Sequence, residues 1–212
     1  MFVSRWSVAL LLCLTRVSLA AEFSADIVSR DAAGARIGAA GKIYVAGGKV
    51  RIETPEATAG YFLIDGTAAL FVRPAQQIFT DARQSSRLTR IFITVDSNDP
   101  CPRWRAAAQN AGVADSEWHC ELIGAAVLDG RATTECRVTS PGQDASRRWM
   151  DASIGFPIRV QMDDGTSFTL ENIRVAAQSA DLFAIPSSYR KLDPRALIER
   201  IKHSDVWVEA PN

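Results

Sequence analysis

Few side chains in this 212-residue sequence are of the types that do chemistry at neutral pH. A catalytic triad would need one of the two histidines, His119 or His203, yet neither has an evident partner, and no Gly-x-Ser-x-Gly or His-Glu-x-x-His motif occurs. His119 alternates away from its two neighbours, which predicts a solvent-facing position. His203 ends a predicted helix, where a cation interacts favourably with the helix dipole. We therefore expect no catalytic residue and no enzymatic activity.

Other clusters of polar residues match no cofactor or metal site. The spacing of Cys101, His119, Cys120 and Cys136 fits no standard zinc pattern. Two adjacent aspartates at 163 and 164 before a glycine are typical of a solvated hairpin turn rather than of a calcium site. The Arg147-Arg148 pair is interpreted as part of a sheet edge rather than as an anion site. We expect neither a cofactor nor a metal.

The first twenty residues have the features of a secretory signal peptide. Arg5 supplies the positive charge, residues 8–14 form a short apolar run, and residues 18–20 make a small-x-small cleavage site. That run is too short to span a bilayer, and no later segment is long and apolar enough. Leu12 before Cys13 excludes a lipoprotein signal. The sequence predicts a signal peptide at 1–20, a periplasmic domain at 21–212, and one disulfide with one free thiol.

The charge balance argues against nucleic acid as a partner. The chain has 24 basic and 24 acidic residues, and removal of residues 1–20 leaves 22 basic and 24 acidic. No basic stripe is present, so nothing attracts nucleic acid or an acidic membrane surface. A hydrophobic content of 47% indicates a folded chain.

Alternation of apolar residues predicts an antiparallel sheet. In the strand 156–162, Phe156, Ile158 and Val160 point to one face, and Asp-Gly turns flank such runs. The pattern in 168–175 slips at Asn172, which indicates a β-bulge and a bent strand. Strands are predicted at 23–30, 36–45, 49–53, 61–65, 68–73, 77–81, 117–124, 132–139, 147–151, 156–162 and 168–175.

Strands 61–65 and 68–73 are apolar on both faces, so both faces need a cover. Leu88, Ile91 and Phe92 form a helical stripe, although 91–95 could equally be a strand, and helices are predicted at 100–109 and 194–203. The expected fold is mainly β: one curved antiparallel sheet of about eleven strands forms an incomplete barrel, with two or three short helices on its concave side.

Several motifs resemble those of the LolA/LolB/RseB-like periplasmic proteins. The similarity covers nearly all of residues 22–190 and is carried by Trp149-Met150-Asp151, Gly155-Phe156-Pro157-Ile158-Arg159, Asp164-Gly165-Thr166, Leu170-Glu171-Asn172-Ile173 and Leu182-Phe183-Ala184-Ile185-Pro186 with Tyr189. The resemblance implies a half-barrel with helices in its mouth around an apolar cavity. LolA and LolB shelter lipoprotein acyl chains there, whereas RseB binds other partners. LolA and RseB begin with a helix before the first strand, whereas here the first strand is predicted directly after the predicted signal.

The resemblance also favours a Cys101–Cys120 disulfide, because related secreted chains often carry this pair. A Cys120–Cys136 bond and the absence of a disulfide are the alternatives. It implies a non-enzymatic periplasmic protein that binds a lipid or an acylated protein. The alternative is an envelope protein-interaction or stress-sensing module of the same fold with a filled core, and the sequence does not distinguish a hollow interior from a filled one. The residues expected to line a cavity are Ile43, Ile52, Leu63, Phe71, Ile78, Leu88, Phe92, Trp104, Phe156 and Ile158.

Overall fold

A computed structural model describes residues 21–54, 60–66, 68–82, 86–96, 98–140 and 143–193. The predicted signal peptide at 1–20 and the predicted helix at 194–203 lie outside these residues.

The described residues form one twelve-stranded sheet in the order β12-β6-β5-β4-β3-β2-β1-β11-β10-β9-β8-β7. Neighbouring strands are antiparallel, except that β12 runs parallel to β6. The sheet is open, with β12 and β7 as its two outer strands. The strands are β1 (Phe23–Arg30), β2 (Gly41–Ala46), β3 (Lys49–Glu53), β4 (Tyr61–Asp65), β5 (Ala68–Arg73), β6 (Ile78–Asp81), β7 (His119–Leu128), β8 (Arg131–Ser140), β9 (Gln143–Asp151), β10 (Phe156–Met162), β11 (Ser167–Val175) and β12 (Arg190–Lys191).

The predicted fold class is confirmed, and strand lengths are the main difference. The second strand was expected from residue 36 but begins at Gly41, because the exposed segment before it turns through Gly34 and Gly38 at positive φ. β7 was expected to end at residue 124 but continues to Leu128. The predicted bulge is confirmed at Asn172, where φ is 54° and the register with β1 shifts.

Two short helices cover one face of the sheet. They are α1 (Arg87–Ile91) and α2 (Cys101–Asn110), and the chain between them does not form the alternative strand at 91–95. The indole Nε1 of Trp104 in α2 donates a hydrogen bond to the Ile91 carbonyl oxygen at 3.2 Å, which joins the two helices. A Cys101–Cys120 disulfide ties α2 to β7, as the resemblance predicted.

Each face of the sheet carries its own apolar cluster. The larger cluster lies between the sheet and the helices, and Phe23, Phe92 and Phe156 are fully buried in it. A smaller cluster on the opposite face joins Tyr61, Val72 and Phe183, the last from a 3-10 turn at Ala180–Phe183. Both faces of β4 and β5 are therefore covered, as their doubly apolar sequences require.

Candidate functional site

Most of the residues predicted to line a cavity face the helices, where they pack against one another. Phe92 stacks on Phe156 with ring centroids 6.3 Å apart. The ring centroids of Phe71 and Phe62 are 4.9 Å apart. Six of the predicted residues are buried members of the large cluster: Ile43, Ile52, Phe92, Trp104, Phe156 and Ile158. Leu88 is partly buried against this cluster. Ile78 is buried on β6.

Leu63 lies on the other face of the sheet. Ile52 on β3 pairs with Phe62 on β4, and both side chains point toward the helices. Side chains alternate along a strand, so Leu63, the next residue, points to the other face. Leu63 packs with Tyr61 and Phe183 in the smaller cluster. Because β4 is apolar on both faces, its sequence does not indicate which of its residues face the helices.

A cavity of about 100 Å³ remains under the two helices, and its lining is arginine-rich. Of the predicted residues, Trp104 contributes to it. The lining consists of Arg87, Arg90, Ile91, Trp104, Ala108, Trp118, Val138, Ser140, Ser146, Arg148 and Met162. No carboxylate is among these lining residues.

Arg148 is the most unusual side chain of the cavity. Its β9 strand lies between β8 and β10, so the Arg147-Arg148 pair is not at a sheet edge, contrary to the sequence prediction. Arg147 is exposed, whereas Arg148 is only 8% exposed. Ser146, Arg148 and Met150 alternate along β9 and are all buried. This alternation is the sequence signal that could have identified Arg148 as a buried arginine.

The Arg148 guanidinium has few partners. Its Nε donates a hydrogen bond to Ser146 Oγ at 3.2 Å, and the group lies 4.5 Å from the centroid of the Trp104 ring. Among the described residues, neither its Nη1 nor Ser140 Oγ in the same cavity has a hydrogen-bond partner. Burial lowers the pKa of Arg148 to about 9, and the nearby positive charge of Arg90 acts in the same direction.

The second candidate surface is the outer edge of β7. Within the described chain β7 pairs only with β8, so its other side offers unpaired backbone groups. Leu122 and Ile123 are about half exposed (47% and 48%), and Val127 is 77% exposed. The register with β8 shifts between Leu122 and Gly124, so a bulge lies inside this edge. His119 begins the strand and is exposed, as predicted.

A second, more open pocket of about 440 Å³ is lined by Arg131, Ala132, Asp151, Ala152 and Ser153, and its Arg131 and Asp151 form an ion pair. No group of three or more His, Cys, Asp or Glu side chains in it is placed to hold a metal ion. No described helix is long and apolar enough to cross a membrane.

The fold is an open antiparallel sheet with a partial helical cover, as predicted. Structures similar to the chain include a LolA superfamily protein from Nitrosomonas europaea, with 11% identity and a TM-score of 0.37 over 78% of this chain and 90% of that one. MucB in complex with MucA(peri) has 16% identity and a TM-score of 0.39, over 82% of this chain and 57% of that one.

PNGF-II, at 8% identity, has a TM-score of 0.54 over 87% of this chain. The match covers 33% of the PNGF-II chain, so this chain spans about a third of that protein. No protein-family model and no curated protein matches the sequence. At these identities the likeness concerns the fold alone.

Proposed function

We propose that this chain is a non-enzymatic periplasmic binding protein that holds an extended segment of a partner protein along the outer edge of β7. The observation that carries the proposal is the exposed apolar edge itself. Residues 122–128, Leu-Ile-Gly-Ala-Ala-Val-Leu, contain no charge and no proline. Edge strands of natural sheets are normally protected by charges, proline, shortness or a bulge. β7 has a bulge, but residues 122–128 carry no charge and no proline, and an exposed apolar edge of this length indicates a pairing surface.

The opposite edge of the same sheet provides a comparison. β12 has two residues, Arg190 and Lys191, and both are exposed. A short strand with basic side chains discourages pairing with another chain. The contrast between the two edges supports β7 as the one that receives a partner.

An extended peptide fits the β7 edge better than a second copy of this chain. The bulge at Ile123 bends the strand and interrupts its regular ladder. A flexible segment can follow that bend and place alternate apolar side chains against Leu122 and Val127. A second rigid edge with the same bulge would match it along only part of its length.

A lipid carrier is the second candidate, favoured by the way the helices rest on the sheet. Phe92 contacts the apolar face through its ring, and α1 itself pairs with no described strand. α2 is tied to β7 by the Cys101–Cys120 disulfide, so any opening of the cover would be hinged at that bond. With the cover closed, the arginine-lined cavity of about 100 Å³ is smaller than the roughly 300–1,000 Å³ of ordinary ligand pockets. An acyl chain would therefore require displacement of the helices.

Site-specific photocrosslinking in the periplasm tests the proposed function. A benzophenone amino acid replaces Val127 on the edge, and a control variant carries it at Val175, which is 63% exposed on the internal strand β11. We expect a discrete adduct with another protein from position 127 alone, and we expect Ile123→Lys to abolish it. Equal adducts from both positions, no adduct, or an adduct with a second copy of the chain would contradict the proposal.

The lipid candidate has a separate test. The protein is purified without detergent and denatured, and its organic extract is analysed by mass spectrometry. A stoichiometric lipid would establish the carrier function. A clean extract, together with no thermal stabilisation by fatty acids or phospholipids, would exclude it.

A further inference from the structure

The buried guanidinium of Arg148 has no counter-ion within the described chain. No described carboxylate forms an ion pair with it, and its partners are one hydroxyl and one aromatic face. A buried charge without full hydrogen bonding is strongly unfavourable, so buried charges in proteins are normally paired. The Trp104 ring compensates in part through a cation–π interaction. Nη1 of Arg148 and Oγ of Ser140 remain unsatisfied in the same cavity.

We propose that the cavity beneath α1 and α2 binds a phosphate group, held by Arg148 and Ser140. A guanidinium presents planar N–H donors that match phosphate oxygens, and a serine hydroxyl can donate a further hydrogen bond. These two groups are buried and face the same space, which makes this a built site rather than a surface cluster.

The rest of the lining favours an anion with more than one charge. Arg87 and Arg90 add positive charge to the cavity, while Trp118 and Met162 form an apolar wall. Burial of the Arg148 guanidinium reduces its screening by solvent and so strengthens its attraction for an anion. Three arginines are among the lining residues, and a divalent phosphate can accept more hydrogen bonds from guanidinium groups than a single carboxylate can.

The size and position of the cavity agree with this ligand. Its volume of about 100 Å³ leaves room for a ligand as small as one tetrahedral oxyanion. Arg87 is exposed and Arg90 is half-buried, so the side formed by α1 opens toward solvent. A phosphate could enter there without displacing Phe92 from the core.

This inference does not depend on the proposed partner at β7, because the two sites share no residue. The phosphate could be inorganic or belong to the headgroup of a lipid. If a lipid headgroup occupies the cavity, the acyl chains of that lipid would lie outside the cavity.

The test measures the melting temperature and the heat of binding of the purified protein during titration with inorganic phosphate at constant ionic strength. A second titration uses dihexanoyl phosphatidic acid below its micelle concentration. We expect a saturable rise in melting temperature. Arg148→Met should weaken phosphate binding tenfold or more. Arg137→Met, which removes an exposed arginine from the adjacent strand β8, should leave it unchanged.

Ser140→Ala provides a second variant if Arg148→Met does not fold, and it should also weaken binding about tenfold because one hydrogen bond to a charged ligand is lost. Phosphatidic acid binding tenfold or more tighter than inorganic phosphate would assign the site to a lipid headgroup, whereas equal affinities would assign it to free phosphate. No saturable response to either ligand, or equal responses in wild type and both cavity variants, would overturn the proposal.

Discussion

Replacement of Phe92 by alanine tests whether the interior under the helices is filled. Phe92 follows α1, is fully buried, and stacks on Phe156 with ring planes 14° apart. Removal of a buried phenylalanine ring from a packed core costs about 3–5 kcal/mol, which includes the cavity left behind. An aromatic pair contributes about 0.5–1.5 kcal/mol beyond the area buried. We expect Phe92→Ala to lower the free energy of unfolding by about 4 kcal/mol.

Urea denaturation followed by circular dichroism measures this change. With a slope of about 3 kcal/mol per molar urea, a loss of about 4 kcal/mol shifts the unfolding midpoint down by about 1.3 M. The control is Val175→Ala, at an exposed position on β11, where we expect a change within about 0.5 kcal/mol. A loss below about 1 kcal/mol for Phe92→Ala, with an unchanged slope, would refute a filled interior and favour a hollow one.

Three further predictions concern the cysteines and one buried carboxylate. Replacing both Cys101 and Cys120 by serine should destabilise the protein by about 3 kcal/mol in urea denaturation, because the disulfide closes a loop with a sequence separation of 19; no loss would contradict its structural role. Burial raises the pKa of the Cys136 thiol to about 11, so Ellman's reagent at pH 8 should label it only after unfolding, and rapid labelling of the native protein would contradict its burial. Burial also acts to raise the pKa of Asp151, but hydrogen bonds from Ser153 and Arg131 outweigh it and lower that pKa. Ionised Asp151 therefore stabilises the fold above pH 3.8, and this contribution is lost as the pH falls further. The melting temperature of wild type should fall more steeply than that of Asp151→Asn between pH 4 and pH 2, and parallel curves would contradict this.

Local sequence signals were sufficient for most of the sheet. Alternation in 156–162 and the Asp164-Gly165 turn predicted β10 and the hairpin to β11, and the slip at Asn172 predicted its bulge. These features depend on neighbours in the sequence. β12 depends on parallel pairing with β6, more than a hundred residues earlier, and two basic residues carry no local signal for it.

The candidate sites were harder to predict because both depend on the finished sheet. A glycine inside a strand often marks a bulge. The sequence pattern predicts that the strand ends at Gly124, but β7 bends there and continues. Consequently the length of the exposed edge was missed. Arg147 and Arg148 are chemically identical, and only the phase of Ser146, Arg148 and Met150 separates the buried arginine from the exposed one. Whether apolar side chains fill or line the interior depends on packing that composition does not encode.

Hydrogen exchange of the β7 amides, followed by NMR, tests the central claim most directly, because the claim requires an open edge. In the isolated protein we expect alternate amides from Ala125 to Leu128 to exchange rapidly, since half of them point away from β8. The amides of β8 from Thr133 to Val138, where the strand is paired with both β7 and β9, should be protected and serve as the internal control. Uniform protection along β7 in the isolated protein would mean that the edge is already covered, and would contradict a partner-binding edge.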